Sequence, residues 1–125
     1  MGHHQEVTNN LSIEKHLINY KEGLHKFTEG MPEVVQTYNE FTEHCFREGE
    51  ISQKNKQLIA LGISVYSQDE YCMIYHTKGC IDQGCTDKEI FEAIGVSTAI
   101  GGGAAMSQGV TLVQECMEQF KQKRH

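Results

Sequence analysis

An all-α, single-domain fold of about six helices, oligomeric in its assembled form, is what the sequence predicts. Three observations carry that expectation. Apolar residues recur at helical spacing in successive segments, strand-type alternation is absent, and helix start and stop residues separate the segments.

The elements follow in order. Leu11, Leu17, Ile18, Leu24 and Phe27 lie at loose helical spacing, with a break at Gly30. Pro32 suits the first position of a second helix, because its missing N–H is unpaired there in any case. The apolar face of that helix reads Val34, Val35, Tyr38, Phe41, Cys45 and Phe46, and Gly49 stops it. Ser52 can cap a third helix, whose stripe is Leu58, Ile59, Leu61, Gly62 and Val65. Asp69 opens a fourth and Gly84 closes it. Thr86 followed by Glu89 forms a capping box, a specific start signal for the helix bearing Ile90, Ile94, Ser97 and Thr98. The triplet Gly101 to Gly103 breaks or kinks the chain before a last helix carrying Met106, Val110, Val113, Met117 and Phe120. A phosphate cradle would follow a strand and carry a further spaced glycine or a Lys-Ser/Thr pair. Met106 stands where that glycine would be, so close helix packing is the better reading of the triplet.

Bulk composition narrows the function classes. The chain has 125 residues and a mass of 14.1 kDa, enough for one core. Its net charge of −6 and pI near 5.6 argue against nucleic acid, since phosphate binding needs a basic face. The basic run Lys121 to His125 reads as a solvated helix C-terminus. Residues 1–30 hold no signal-type apolar run, and no stretch approaches the roughly 20 apolar residues of a membrane span. A soluble cytoplasmic protein with no nucleic-acid or membrane partner is expected. His3 and His4 lie in a polar N-terminus.

The chemistry-bearing pair is Cys72 and His76. Four residues apart on one helix, they sit one turn apart on the same face, with Cβ atoms roughly 5–6 Å from each other. A thiol beside an imidazole is the minimal activated sulfur nucleophile, because the thiolate is the reacting species. With Asp69 as N-cap, Cys72 falls in the first turn, where free amides and the helix dipole favour negative sulfur. Helix start and imidazole should then both lower the thiol pKa. The alternative is a pair of helix-face residues packed against a neighbour.

Five cysteines without an export signal read as free thiols. On one helix Cys72 and Cys80 would stand about 12 Å apart at 1.5 Å per residue, beyond the roughly 7 Å limit for a disulfide. The same spacing defeats one zinc held by Cys72, His76 and Cys80, whose sulfurs must lie about 2.3 Å from the metal. No metal and no cofactor is expected. Cys45, Cys80, Cys85 and Cys116 read as small buried hydrophobes.

The stretches Lys56-Gln-Leu-Ile-Ala-Leu-Gly62, Tyr71-Cys-Met-Ile-Tyr-His-Thr77, Gly84-Cys-Thr-Asp-Lys-Glu-Ile-Phe-Glu-Ala93 and Gly101 to Ala105 resemble the carboxymuconolactone decarboxylase / alkylhydroperoxidase D superfamily. The resemblance covers residues 31–120. It divides the chain into an N-terminal helical extension at 1–30, the family-like domain at 31–120 and a tail at 121–125. It implies the all-α alkylhydroperoxidase D-like fold, assembled as trimers or hexamers with the site near subunit contacts. By the same resemblance Cys72 matches the peroxide-reacting cysteine of the peroxidase branch, and His76 its histidine. Asp69 stands where that branch has its first cysteine, Gln57 where it has a glutamate, and Tyr71 precedes the reacting cysteine.

The resemblance thus implies a thiol-dependent antioxidant peroxidase, with catalytic residues Cys72 and His76 and a hydroperoxide and a thiol reductant as small-molecule partners. Without a cysteine at 69, an external thiol, or Cys80, Cys85 or Cys116 of a neighbouring subunit, would have to complete the cycle. Gln57 cannot carry a proton as a glutamate does, but can still orient a hydrogen bond. Asp69 as an anion opposes thiolate formation at Cys72. Two alternatives stand beside this reading. One is a lactone decarboxylase in which His76 handles the proton. It lacks arginine clamps in the motif, where only Lys54 and Lys56 could bind a carboxylate. The other is a non-catalytic oligomeric binding or scaffold protein. The helix stripes offer more apolar face than a thin helical layer can cover, which favours a homo-oligomer.

Overall fold

The computed structural model describes the backbone of residues 2–123 and the side chains of residues 13–121. His3, His4, Leu11 and most of the C-terminal basic run therefore lie outside the described side chains. Every described element is helical: α1 (Gly2–Gly30), α2 (Pro32–Phe46), α3 (Gln53–Ser67), α4 (Glu70–Asp82), α5 (Asp87–Gly101), α6 (Gly103–Gln108), a π-helical turn (Gly109–Val113) and α7 (Gln114–Lys123). The last three run on without a non-helical residue, so the path contains six separate helical rods. Among the described residues no helix is long and apolar enough to cross a membrane.

The chain forms two compact units, Met1–Glu50 and Ile51–His125. The first holds α1 and α2. Pro32 occupies the start of α2 as the sequence predicts. Ile13 and Val35 are buried, whereas Val34, Tyr38 and Phe41 are exposed. Cys45 is exposed too, and so is not the buried hydrophobe expected of it.

The second unit holds the remaining helices, and its caps are the ones legible in the sequence. Ser52 accepts a hydrogen bond from Asn55 N at 3.0 Å, and Asp69 accepts from Cys72 N at 3.2 Å. Each satisfies an amide that the first helical turn leaves open. Thr86 and Glu89 close the capping box with bonds of 2.8 and 3.1 Å. At the end of α4, Gly84 takes φ +82°, a left-handed conformation open to glycine. Its N–H donates to Ile81 O at 3.0 Å, and Cys85 N–H donates to Cys80 O at 2.9 Å. These two bonds make a Schellman motif. Gly102 breaks α5 from α6 with φ 73° and ψ −154°, a region closed to side chains.

Helix α3 lies between α4 and α5. Gln83 at the end of α4 bonds Gln53 at the start of α3 at 3.2 Å, so α3 and α4 run antiparallel. Lys54 pairs with Glu89 at 2.9 Å and Ser97 donates to Gly62 O at 2.9 Å, so α3 and α5 run side by side in the same sense. The core consists of Leu61 and Val65 from α3, Met73, Ile74 and Cys80 from α4, Ile90 and Ile94 from α5, and Ala105, Val113 and Cys116 from the last rod. Ile59, expected in the α3 stripe, is 51% exposed. In the last rod Val113, Met117 and Phe120 are buried while Met106 and Val110 are exposed. The π turn between the two groups accounts for the split, because its wider turn rotates everything after it relative to an α-helical register.

Candidate functional site

The antiparallel α3–α4 pair places Gln57, in the second turn of α3, against the middle of α4. His76 Nδ1 and Gln57 Oε1 are 2.9 Å apart. With the amide oxygen facing the ring, Nδ1 carries the proton and Nε2 is the lone-pair nitrogen. Long side chains on a helix lean toward its N-terminus, so the His76 ring leans over the turn that carries Cys72. Burial holds the His76 pKa below the ordinary imidazole value, against the opposing negative charge of Asp69. The ring is therefore mostly neutral near pH 7 and able to accept a proton. The Tyr75 ring meets it edge-on at 5.2 Å.

Gly79 makes the Gln57 contact possible. A Cβ at position 79 would overlap the Gln57 amide, which lies directly on the α4 backbone at that point. Gly79→Ala should thus displace a flexible side-chain end rather than a helix. Its stability cost is offset by the roughly 0.5–1 kcal/mol that alanine gains over glycine inside a helix. The expected result is a folded protein in which His76 loses its fixed tautomer. Nitrogen NMR of the ring would read this, and an unchanged tautomer would show that Gln57 does not set it.

Cys72 is half-buried in the first turn of α4. Its environment corrects the expectation of a lowered pKa: the thiol is raised to about 11. Burial contributes most. Next comes Asp69, whose carboxylate accepts from the thiol and whose charge opposes a second anion. The cap that starts the helix thereby also holds the thiol protonated. The helix-terminal field favours a thiolate by a fraction of this, so the local carboxylate wins. His76 and Cys72 share a helix face, and each has a further anchor: Gln57 for the imidazole, Asp69 for the thiol.

All five cysteines are free. Cys80 and Cys116 are buried, in keeping with their reading as small hydrophobes, but Cys85 is only half-buried. Spacing arguments confined to α4 missed a contact between Cys80 and Cys85. The signal that could have revealed it was Gly84, the left-handed cap that turns the chain back on the helix. Among the described residues no group of three or more His, Cys, Asp or Glu side chains could hold a metal ion. A separate apolar groove of about 490 Å³ lies on α5 and the last rod, lined by Phe91, Ile94, Gly95, Thr98, Met106, Val110 and Gln114.

This all-α arrangement of antiparallel helices recurs in solved structures. A carboxymuconolactone decarboxylase family protein from Legionella pneumophila, in its apo form, superposes with a TM-score of 0.82 at 24% identity, over 87% of this chain and 96% of that one. A family protein from Thermotoga maritima, with a suggested part in the antioxidative response, gives 0.75 at 20% identity, over 86% and 91% of the two chains. These likenesses establish the fold.

The carboxymuconolactone decarboxylase family model matches residues 32–115. This chain belongs to that family. A curated relative, uncharacterized protein 4 in the cox locus of Paracoccus denitrificans, is 37% identical over 60 residues, 48% of this chain. The match spans about half of that relative's own length, 54%.

Proposed function

We propose that the protein is a thiol-dependent oxidoreductase that reduces hydroperoxides at Cys72, with His76 moving the proton. The single observation that carries the reading is a half-buried thiol one turn from a neutral imidazole whose tautomer Gln57 holds. Family membership supports it, as does the suggested antioxidative role of the Thermotoga maritima relative. Cys72 gives up its proton to the local base, and the sulfur attacks the terminal oxygen of the hydroperoxide. The O–O bond breaks, sulfenic acid forms, and the departing alkoxide takes a proton to leave as alcohol. One external thiol then condenses with the sulfenic acid and releases water. A second thiol displaces the resulting mixed disulfide and restores Cys72. Asp69 occupies the place of an internal resolving cysteine, so the reductant is external.

Cys72→Ser is expected to abolish hydroperoxide consumption supported by dithiothreitol, while Cys45→Ser and Cys116→Ser keep most of it. With the thiol titrating at about 11, the wild-type rate should climb about tenfold per pH unit above neutrality, following the thiolate fraction. A rate that survives in Cys72→Ser would place the chemistry elsewhere. A second reading, proton transfer by His76 during lactone decarboxylation, is favoured by the neutral imidazole and the protonated thiol. It separates cleanly: such activity would persist in Cys72→Ser and vanish in His76→Gln.

The proposed working form is a homo-oligomer, a trimer or a hexamer of trimers. What supports it is the exposed apolar surface of the second unit: Ile59, Ile63, Tyr66, Val96, Ile100 and Met106 are all at least half exposed. Apolar exposure on that scale marks an association surface, and closed symmetry is the usual outcome. Light scattering at micromolar concentration should give a multiple of three chains. A mass near 14.1 kDa that does not change with concentration would overturn the proposal.

A further inference from the structure

Two cysteines outside the Cys72 site meet where α4 ends. The Schellman motif brings Cys85 back over Cys80: its 2.9 Å bond from Cys85 N to Cys80 O holds the two α-carbons within about 7 Å, backbone bond lengths taken end to end. That is the range a disulfide spans. The side chains use the approach, for the Cys80 thiol donates a hydrogen bond to the Cys85 sulfur. Cys80 is fully buried and Cys85 half-buried, so one sulfur is reachable from outside and the other waits behind it. Lys54, paired with Glu89 at 2.9 Å, stands close enough to Cys85 to favour a negative charge on it.

We infer that Cys80 and Cys85 form a second redox site, a dithiol that hydroperoxides convert to an intrachain disulfide and small dithiols restore. Cys85 is the attacking sulfur. It loses its proton, bonds to the terminal peroxide oxygen, and breaks the O–O bond, giving Cys85 sulfenic acid and an alcohol. The Cys80 thiol then attacks that sulfur. Its S–H proton and the sulfenic hydroxyl leave as water, and the S–S bond forms. Two electrons pass from the pair to the peroxide. The donated S–H and the Lys54 charge lower the Cys85 pKa, while burial, the larger influence, raises it. Oxidation should therefore quicken with rising pH. The loop closed by the bond is short, so it restricts the unfolded chain little and stays open to reduction. This inference does not rest on the proposed chemistry of Cys72.

Trypsin cleavage after Lys78 and Lys88 yields a peptide, residues 79–88, that contains Cys80 and Cys85 and no other cysteine. The test uses the full-length protein carrying Cys72→Ser, treated with one equivalent of hydrogen peroxide and then alkylated. The expected result is a peptide 79–88 lacking two hydrogens and refractory to alkylation, restored by dithiothreitol. Adding Cys85→Ser should remove the effect entirely. Adding Cys80→Ala should instead leave a sulfenic acid at Cys85, trapped by dimedone. Phenylarsine oxide, which bridges neighbouring thiols, should load one arsenic per chain on the untreated protein and none on the Cys85→Ser form. A peptide 79–88 that keeps both thiols while Cys45 oxidises would overturn the inference. So would dimedone trapping at Cys80, or a failure to take up arsenic. Loss of peroxide consumption at Cys72 has no bearing on any of these readouts.

Discussion

Asp69→Asn is expected to raise the alkylation rate of Cys72 at neutral pH by at least about tenfold, one pKa unit being a factor of ten in thiolate. Burial is the main cause of the raised thiol pKa and persists in the variant. The carboxylate contributes the rest, as acceptor of the thiol proton and as a neighbouring negative charge. Asparagine caps a helix about as well as aspartate, so α4 keeps its start while the charge disappears. The sign follows directly: with the anion gone, the deprotonated thiol loses a repulsive neighbour, and the pKa moves down from about 11. Iodoacetamide labelling across a pH series reads it, because the tryptic peptide of residues 57–78 contains only Cys72 among the cysteines. A titration curve identical to wild type would show that Asp69 does not hold the thiol.

Leu61→Ala should be the most damaging single truncation in the second unit, at about 2–5 kcal/mol of unfolding free energy. Leu61 is fully buried on α3, the helix flanked by α4 and α5, and its neighbours in the core are themselves fully buried. Removing three carbons there leaves a void that packed helices close only in part. Folded domains have about 5–15 kcal/mol in reserve, so the loss is a large share of the whole. Urea denaturation monitored by circular dichroism provides the measurement. A shift worth less than about 1 kcal/mol, within the range of an ordinary surface substitution, would show that the core repacks around the gap.

The two predictions differ in what they draw on. Leu61 was readable as core from helical periodicity, and the consequence of removing it needs little more. The Asp69 prediction needs the structure. An N-cap aspartate three residues before a cysteine is visible in the sequence, but two opposed influences act on the sulfur, and spacing does not rank them. The helix terminus and the imidazole point one way, burial and the carboxylate the other. Only the depth of Cys72 and the direction of its S–H decide between them.

What the sequence determined by itself is local. Caps at Ser52, Asp69 and Thr86, the left-handed turn at Gly84 and the break at Gly102 each follow from one or two neighbouring residues, because each satisfies backbone groups within a single turn. The tertiary structure decided whatever needed two elements or a register. It brought Gln57 from α3 onto His76 over the bare backbone of Gly79. It turned Ile59 outward. It inserted a π turn that parts Met106 and Val110 from Val113 and Met117. Side-chain type and spacing specify a helix, but which face is covered depends on the helices packed against it, and that is a property of the assembled unit.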